Sequence, residues 1–189
     1  TISIFGLLVT VWAAMTFFDI KTGETILLWI TAVFAILLAV YTAFLFAQAK
    51  GRDFWQSPTL PLHMLVHSIM AGVSIFVLAG VIFGSEDWMT MLTNTLIIAL
   101  LVNVFTLVTE LTITHPTTSA KKVVTMITKG RYRNLFWIVS VIIGNIIPLV
   151  FLIVGNTEPL LIGSAVLVLI GIIATEKIWV EAPQRVPLA

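Results

Sequence analysis

His63 and His67 stand four residues apart in an apolar run, and the next apolar run carries Asn103, Thr106 and Glu110 at i, i+3 and i+7. Those spacings bring side chains to one face of a helix, so each set forms a polar stripe, with Ser74 continuing the first. Imidazoles and a carboxylate held away from water can exchange protons, hydrogen-bond a carbonyl ligand or ligate a metal. A metal wants a third ligand, and no HxxxH partner stands out. A b-type haem needs axial ligands from opposite sides of the macrocycle, usually from two helices. Of the three histidines, the remaining one, His115, falls in a connection, so a bis-histidine haem is disfavoured. Three readings stay open: hydrogen bonds between helices, proton transfer, and a polar contact to a ligand headgroup. The proton-transfer candidates are Glu110, Asn103 and His67. Glu110 lies near a predicted helix end, where a carboxylate can also snorkel. Asp19 and Glu176 are expected at span ends, in ordinary interfacial positions.

A second concentration of chemistry runs from Tyr41 to Pro58, where aromatic rings, an amide, two cations and a carboxylate crowd together. Trp55 and Phe54 suit interfacial anchors. The same grouping suits an amphipathic quinone, whose ring stacks on aromatics while Tyr, Gln or His donates to its carbonyls. Gly144, Asn145 and Pro148 form a third cluster, close to the middle of another apolar run. There proline frees a backbone carbonyl, asparagine can re-satisfy it, and a tolerated kink is the expectation.

The elements that carry these residues must be membrane helices. Hydrophobic residues make up 59% of the chain and charged residues 10%, with a mean hydropathy of +1.11, which excludes a soluble globular domain. The apolar runs are long and do not alternate, which excludes a β-barrel and makes the fold all-α. A span needs about twenty apolar residues, and that ruler predicts about six helices, at roughly 2–18, 27–48, 62–84, 91–113, 135–154 and 159–180. The first is short. Neither an internal repeat nor a long hydrophilic stretch interrupts them, so residues 1–189 are read as a single transmembrane domain. The opening run lacks a basic leader and a cleavage site, so it does not read as a signal peptide. Because the chain opens on Thr1, it is expected to be the C-terminal part of a larger subunit.

With no cysteine, the chain cannot hold a disulfide, a thiolate-ligated iron–sulfur cluster or a thioether-linked haem. A net charge of +1 gives no attraction for nucleic acid. Between Thr117 and Gly130, Ala120, Val123, Val124 and Ile127 fall at helical spacing, with Lys121, Lys122 and Lys129 largely off that stripe. This predicts an amphipathic helix lying in the membrane interface. Lys50, Arg52, Lys121, Lys122, Lys129, Arg131, Arg133, Lys177 and Arg185 share one membrane side and Lys21 stands alone on the other, which puts the nine-cation side in the cytoplasm.

The stretch Tyr41 to Pro61, with Phe44, Ala49, Asp53, Trp55 and Pro58, and the small pair Ala71-Gly72 on the following helix resemble the NrfD family of membrane subunits, typified by polysulfide reductase. The closing stretch Trp179-Val180-Glu181-Ala182-Pro183-Gln184-Arg185-Val186-Pro187-Leu188 resembles the terminus common in that family. Glu110 and the His115-Pro116 linker fit more loosely. The resemblance implies an eight- or ten-helix subunit in a bacterial inner (cytoplasmic) membrane. Such a subunit anchors an iron–sulfur protein and exchanges electrons with a menaquinone-type quinone, alongside a molybdopterin or multihaem cytochrome subunit, as in alternative complex III. It matches Tyr41 to a tyrosine near the quinone headgroup. With electrons passing to a partner subunit, His63 or His67 is expected to join Tyr41 at the quinone, and the polar connection holding Lys50, Arg52, Asp53, Trp55 and Gln56 is the expected docking surface. The resemblance implies no metal or haem held by this chain itself. The histidine and asparagine that relatives carry on their first helix have no counterpart here. Many relatives also place the Tyr41-type end at the periplasmic face, opposite to the charge count. The competing functional classes are a secondary transporter or proton-conducting subunit, motivated by Glu110 and the Asn145–Pro148 break, and a purely structural anchor.

Overall fold

The computed structural model describes residues 2–83, 88–113, 117–155 and 157–187. Among these residues the secondary structure is helical without strands: α1 (Ile2–Phe17), α2 (Glu24–Ala47), α3 (Leu60–Phe83), α4 (Met89–Thr112), α5 (Thr118–Thr128), α6 (Leu135–Val154) and α7 (Glu158–Gln184), with a short 3₁₀ turn at Asp53–Gln56. Helices α2, α3, α4, α6 and α7 are long and apolar enough to cross a bilayer. Helix α1 has 16 residues, about 24 Å of rise against a hydrocarbon core of about 30 Å.

Helix α7 is the hub, packing along α6 and α3, while α3 also packs on α4 and α2. Two apolar clusters fill the bundle. One holds Met70, Val77, Leu96, Leu100, Ala165 and Val168; the other lies toward the opposite end around Phe54, Leu60, Ile127, Phe136, Ile178 and Trp179. Large apolar side chains such as Phe76, Ile98, Phe105, Val150 and Ile173 point outward, as a lipid solvent allows. Helix α1 buries none of its residues and α2 buries Ala43 alone.

The first twelve residues of α6 depart from ordinary helical winding. Leu135–Ile146 is wound as a π-helix and the α-form resumes at Ile147, one residue before Pro148. Proline lacks an N–H and its ring crowds the carbonyl four residues earlier, and wide winding is one way of relieving that conflict. Asn145 Nδ2 donates to the Ser140 carbonyl at 2.7 Å, so the asparagine satisfies backbone as its position suggests. On the same stretch Gly144 meets Gly171 of α7: a Cβ built on Gly144 would lie 2.4 Å from the Gly171 Cα. The two backbones touch, and glycine at both positions is what lets α6 and α7 cross there.

Helix α5 corrects one expectation. Its N-cap Thr117 accepts from the Ala120 N–H, and its apolar stripe, Ala120, Val123 and Ile127, is buried. That stripe packs on α7 and the 3₁₀ turn, so the helix caps the end of the bundle, its apolar face covered by protein and not by lipid. Lys121, Lys122 and Lys129 are exposed.

Candidate functional site

The two stretches that carry the family resemblance lock onto each other at this capped end. After α2 the chain reverses at Gly51, whose φ of 87° is left-handed and suits glycine. This turn aims Arg52 at the end of α7, where its Nη1 donates to the carbonyls of Pro183 (2.6 Å) and Val186 (2.5 Å). A cation on the terminal carbonyls of a helix satisfies orphan acceptors and opposes the negative end of its dipole. Pro183 has no N–H, so the carbonyl four residues back, on Trp179, loses its helical donor. The Trp55 indole supplies the replacement at 2.8 Å. Behind this clasp Tyr132, itself buried, donates to Glu181 at 2.8 Å and accepts from Arg185 Nε at 2.7 Å. Burial, and then the Glu181 carboxylate, push the Tyr132 phenol above its ordinary value.

Directly below the clasp, toward the membrane, three helices bring four ionisable groups together. His63 and His67 come from the first turns of α3, Glu110 from the last turn of α4 and Glu176 from α7. His63 is fully buried and its ring lies flat against Trp179, with centroids 5.0 Å apart and planes 18° apart. Its Nδ1 is 3.5 Å from Glu110 and its Nε2 is 3.6 Å from Glu176. His67 Nδ1 is 2.6 Å from the same Glu176 oxygen, while His67 Nε2 is buried without a hydrogen bond. Glu110 is fully buried, whereas Glu176 keeps 31% of its side chain exposed. Burying two carboxylates at this depth is costly unless they face cations or donors, and the imidazoles between them are such partners.

The cluster opens sideways. A groove of about 370 Å³ between α2, α3 and α7 is lined by His67 and Glu176 together with Leu38, Ala39, Thr42, Met64, Ser68, Ala71 and Ile172. Its wall is apolar, with polar atoms at one end.

A family model described as polysulphide reductase, NrfD, matches residues 5–184, nearly the whole chain. The chain belongs to this family. Neither the curated proteins nor the solved structures compared with it gave a significant match. This chain is thus an NrfD membrane subunit, and the two stretches on which the resemblance was read meet in the clasp just described.

Other residues singled out from sequence fall in different places. Asn103 is buried and its Nδ2 donates to Asn145 Oδ1 at 2.8 Å, joining α4 to α6. Its Oδ1, like His67 Nε2, is buried without a hydrogen-bond partner. Tyr41 lies on α2, with Ala39 and Thr42 of that helix lining the groove; its own ring is 37% exposed and is not among the lining residues. In the loop, Arg52 and Trp55 are engaged inside the chain, Asp53 is half-buried, and Lys50 and Gln56 are exposed. His115 and Pro116 lie outside the described residues.

The sequence reading placed Glu176 in an ordinary interfacial position and found no third ligand for His63 and His67. The structure corrects both: Glu176 faces the two imidazoles. It sits 109 residues from His67, so no local spacing announces the pairing. The available signal was a carboxylate one turn inside an apolar run, three residues before a tryptophan, in a chain with few charges.

Proposed function

We propose that this NrfD subunit takes part in quinone–quinol exchange within a respiratory oxidoreductase of the bacterial inner membrane, with the groove beside His67 and Glu176 receiving the quinone headgroup. The observation that carries this reading is the convergence of His63, His67, Glu110 and Glu176 on an apolar groove at membrane depth. An amphipathic ring with two carbonyls fits such a site: the walls take the ring and tail, and the imidazole and carboxylate address one oxygen. A quinone of the menaquinone class accepts two electrons and two protons to become the quinol, and the reverse reaction returns them.

The chain's own residues supply the proton side of this reaction. His67 and Glu176 stand at the groove and exchange protons with the bound oxygen. Glu110 lies behind them across His63, and a proton passing between Glu110 and Glu176 uses the two nitrogens of that ring in turn. Asn103, beside His67, is the second proton-route candidate. The Trp179 stack and the Arg52–Trp55 clasp hold His63 in the required plane. Tyr41, one helical face away on α2, contacts the headgroup or its approach.

Electrons come from outside the chain, which has no cysteine to hold a cluster. We assign them to an iron–sulfur subunit, itself served by a molybdopterin or multihaem cytochrome subunit, as the family resemblance implies. Lys50, Gln56 and the exposed face of α5 form the surface for that partner, on the side where the cations gather. Replacing His67 with glutamine in the native complex tests the reading. Quinol turnover is expected to fall at least about tenfold, the effect of losing a positioned acid–base group, while the complex still assembles and melts as before. Unchanged turnover in an assembled complex removes the quinone assignment from this groove.

A further inference from the structure

His63, His67 and Glu176 each offer one donor atom, and the three atoms lie within 4.8 Å of one another. We propose that they form a binding site for a divalent transition-metal ion of the zinc class, which on binding occupies the groups that exchange protons with the quinone. The inhibitory half of this proposal rests on the functional reading above; the metal site does not. In a tetrahedral site with ligands at about 2.0–2.2 Å, neighbouring donor atoms stand roughly 3.3–3.5 Å apart. The distances of Glu176 Oε1 to His67 Nδ1 (2.6 Å) and to His63 Nε2 (3.6 Å) fall on either side of that spacing, so small side-chain rotations produce it. Two imidazoles in the set favour zinc-like ions over magnesium or calcium.

The outer shell fits the same purpose. Glu110 stands at the far nitrogen of His63, 3.5 Å from Nδ1. A carboxylate accepting from Nδ1 leaves the Nε2 lone pair directed at Glu176, the carboxylate–histidine–metal arrangement that orients such ligands. The Trp179 stack fixes the ring plane. Charge balances too: a dication facing two neutral histidines is neutralised by the carboxylates of Glu176 and Glu110, which membrane burial demands. His67 and Glu176 line the groove, so a fourth position on that side would have room for a water or a ligand oxygen.

The native complex containing this chain, stripped with a chelator and titrated with Zn²⁺, tests the site by equilibrium dialysis and X-ray absorption at the zinc edge. The expected spectrum contains two imidazole nitrogens. Affinity is expected to fall at least about 100-fold in His67→Gln and Glu176→Gln and about 10–100-fold in Glu110→Gln, with Asp19→Asn unchanged. Saturable binding without two imidazoles, or equal affinity in His67→Gln, overturns the proposal, and the spectrum of the unaltered complex needs no variant to fold. Zinc bound through two imidazoles and lost in Glu176→Gln supports the metal site even where quinol turnover is untouched, which would instead remove the functional reading. No zinc bound by the unaltered complex at millimolar ion, with turnover still lost in His67→Gln, overturns the metal site and leaves the functional reading standing.

Discussion

Two polar regions are buried in this bundle, and they are built on opposite plans. Around α6 the polar groups are turned on one another: Asn103 donates to Asn145, Asn145 donates to Ser140, and Ser164 donates to the Leu160 carbonyl at 2.7 Å. This knot sits against the Gly144–Gly171 crossing and fastens helices together. Around His63 the polar groups converge without saturating one another. Both ring nitrogens of His63 and Nε2 of His67 lack a hydrogen bond, and the cluster opens sideways through a groove. Buried polar groups in a membrane are expensive in either plan. In the first the cost is offset by one hydrogen bond between α4 and α6 and by bonds within α6 and α7, and in the second both nitrogens of His63 and Nε2 of His67 keep bonding capacity for a ligand or a proton. The first region joins helices, and the second offers a site.

The comparison breaks most sharply at the helix crossing. In Gly171→Val the new Cβ would sit 2.3 Å from the Gly144 Cα, a backbone clash that no rotamer relieves. Helices α6 and α7 are expected to separate, with a loss of at least about 3 kcal/mol and little protein accumulating in the membrane. Quantifying the chain in membrane fractions checks this; normal accumulation would mean that the crossing is not needed for assembly.

A smaller effect distinguishes the knot from the link that leaves it. Asn145→Leu removes the acceptor of Asn103 and the donor to Ser140, and is expected to lower thermal stability by about 1–3 kcal/mol. The coupling between Asn103→Leu and Asn145→Leu in a double-mutant cycle should fall near 0.6–1.7 kcal/mol, the range for polar pairs in membranes. On the proposed proton route Asn103 acts together with His67, so Asn103→Leu should lower quinol turnover further than Asn145→Leu does at matched stability. Equal turnover in the two variants would confine Asn103 to the knot.

The spans and the polar stripes were legible because both are written locally, in hydropathy and in helical spacing. His63 and His67 announce themselves by lying four apart in an apolar run. Their carboxylate partners do not, because the contacts to Glu110 and Glu176 depend on how α4 and α7 are rotated against α3, which periodicity alone does not specify. The same is true of the clasp. Arg52 and Trp55 look like interfacial anchors or a docking loop until Pro183, more than 120 residues away, is seen to free the carbonyl that Trp55 fills. Helix α5 was legible as amphipathic, but the partner of its apolar face was not, since lipid and protein reward the same stripe.

The smallest expected effect concerns Tyr41, at the border between groove and lipid. Its hydroxyl is not engaged in any hydrogen bond recorded among the described residues, and its ring is 37% exposed, so Tyr41→Phe should leave assembly and melting unchanged. If the phenol donates to the quinone headgroup or to the groups that receive it, turnover should fall about 2- to 12-fold, the equivalent of one hydrogen bond of about 0.5–1.5 kcal/mol. The effect should appear in KM for the quinone before it appears in kcat, because a contact at the mouth of the groove acts on binding and not on the proton step. A change confined to kcat would place Tyr41 among the proton-exchanging groups with His67 and Glu176, and would require α2 to turn its exposed face inward when the headgroup binds.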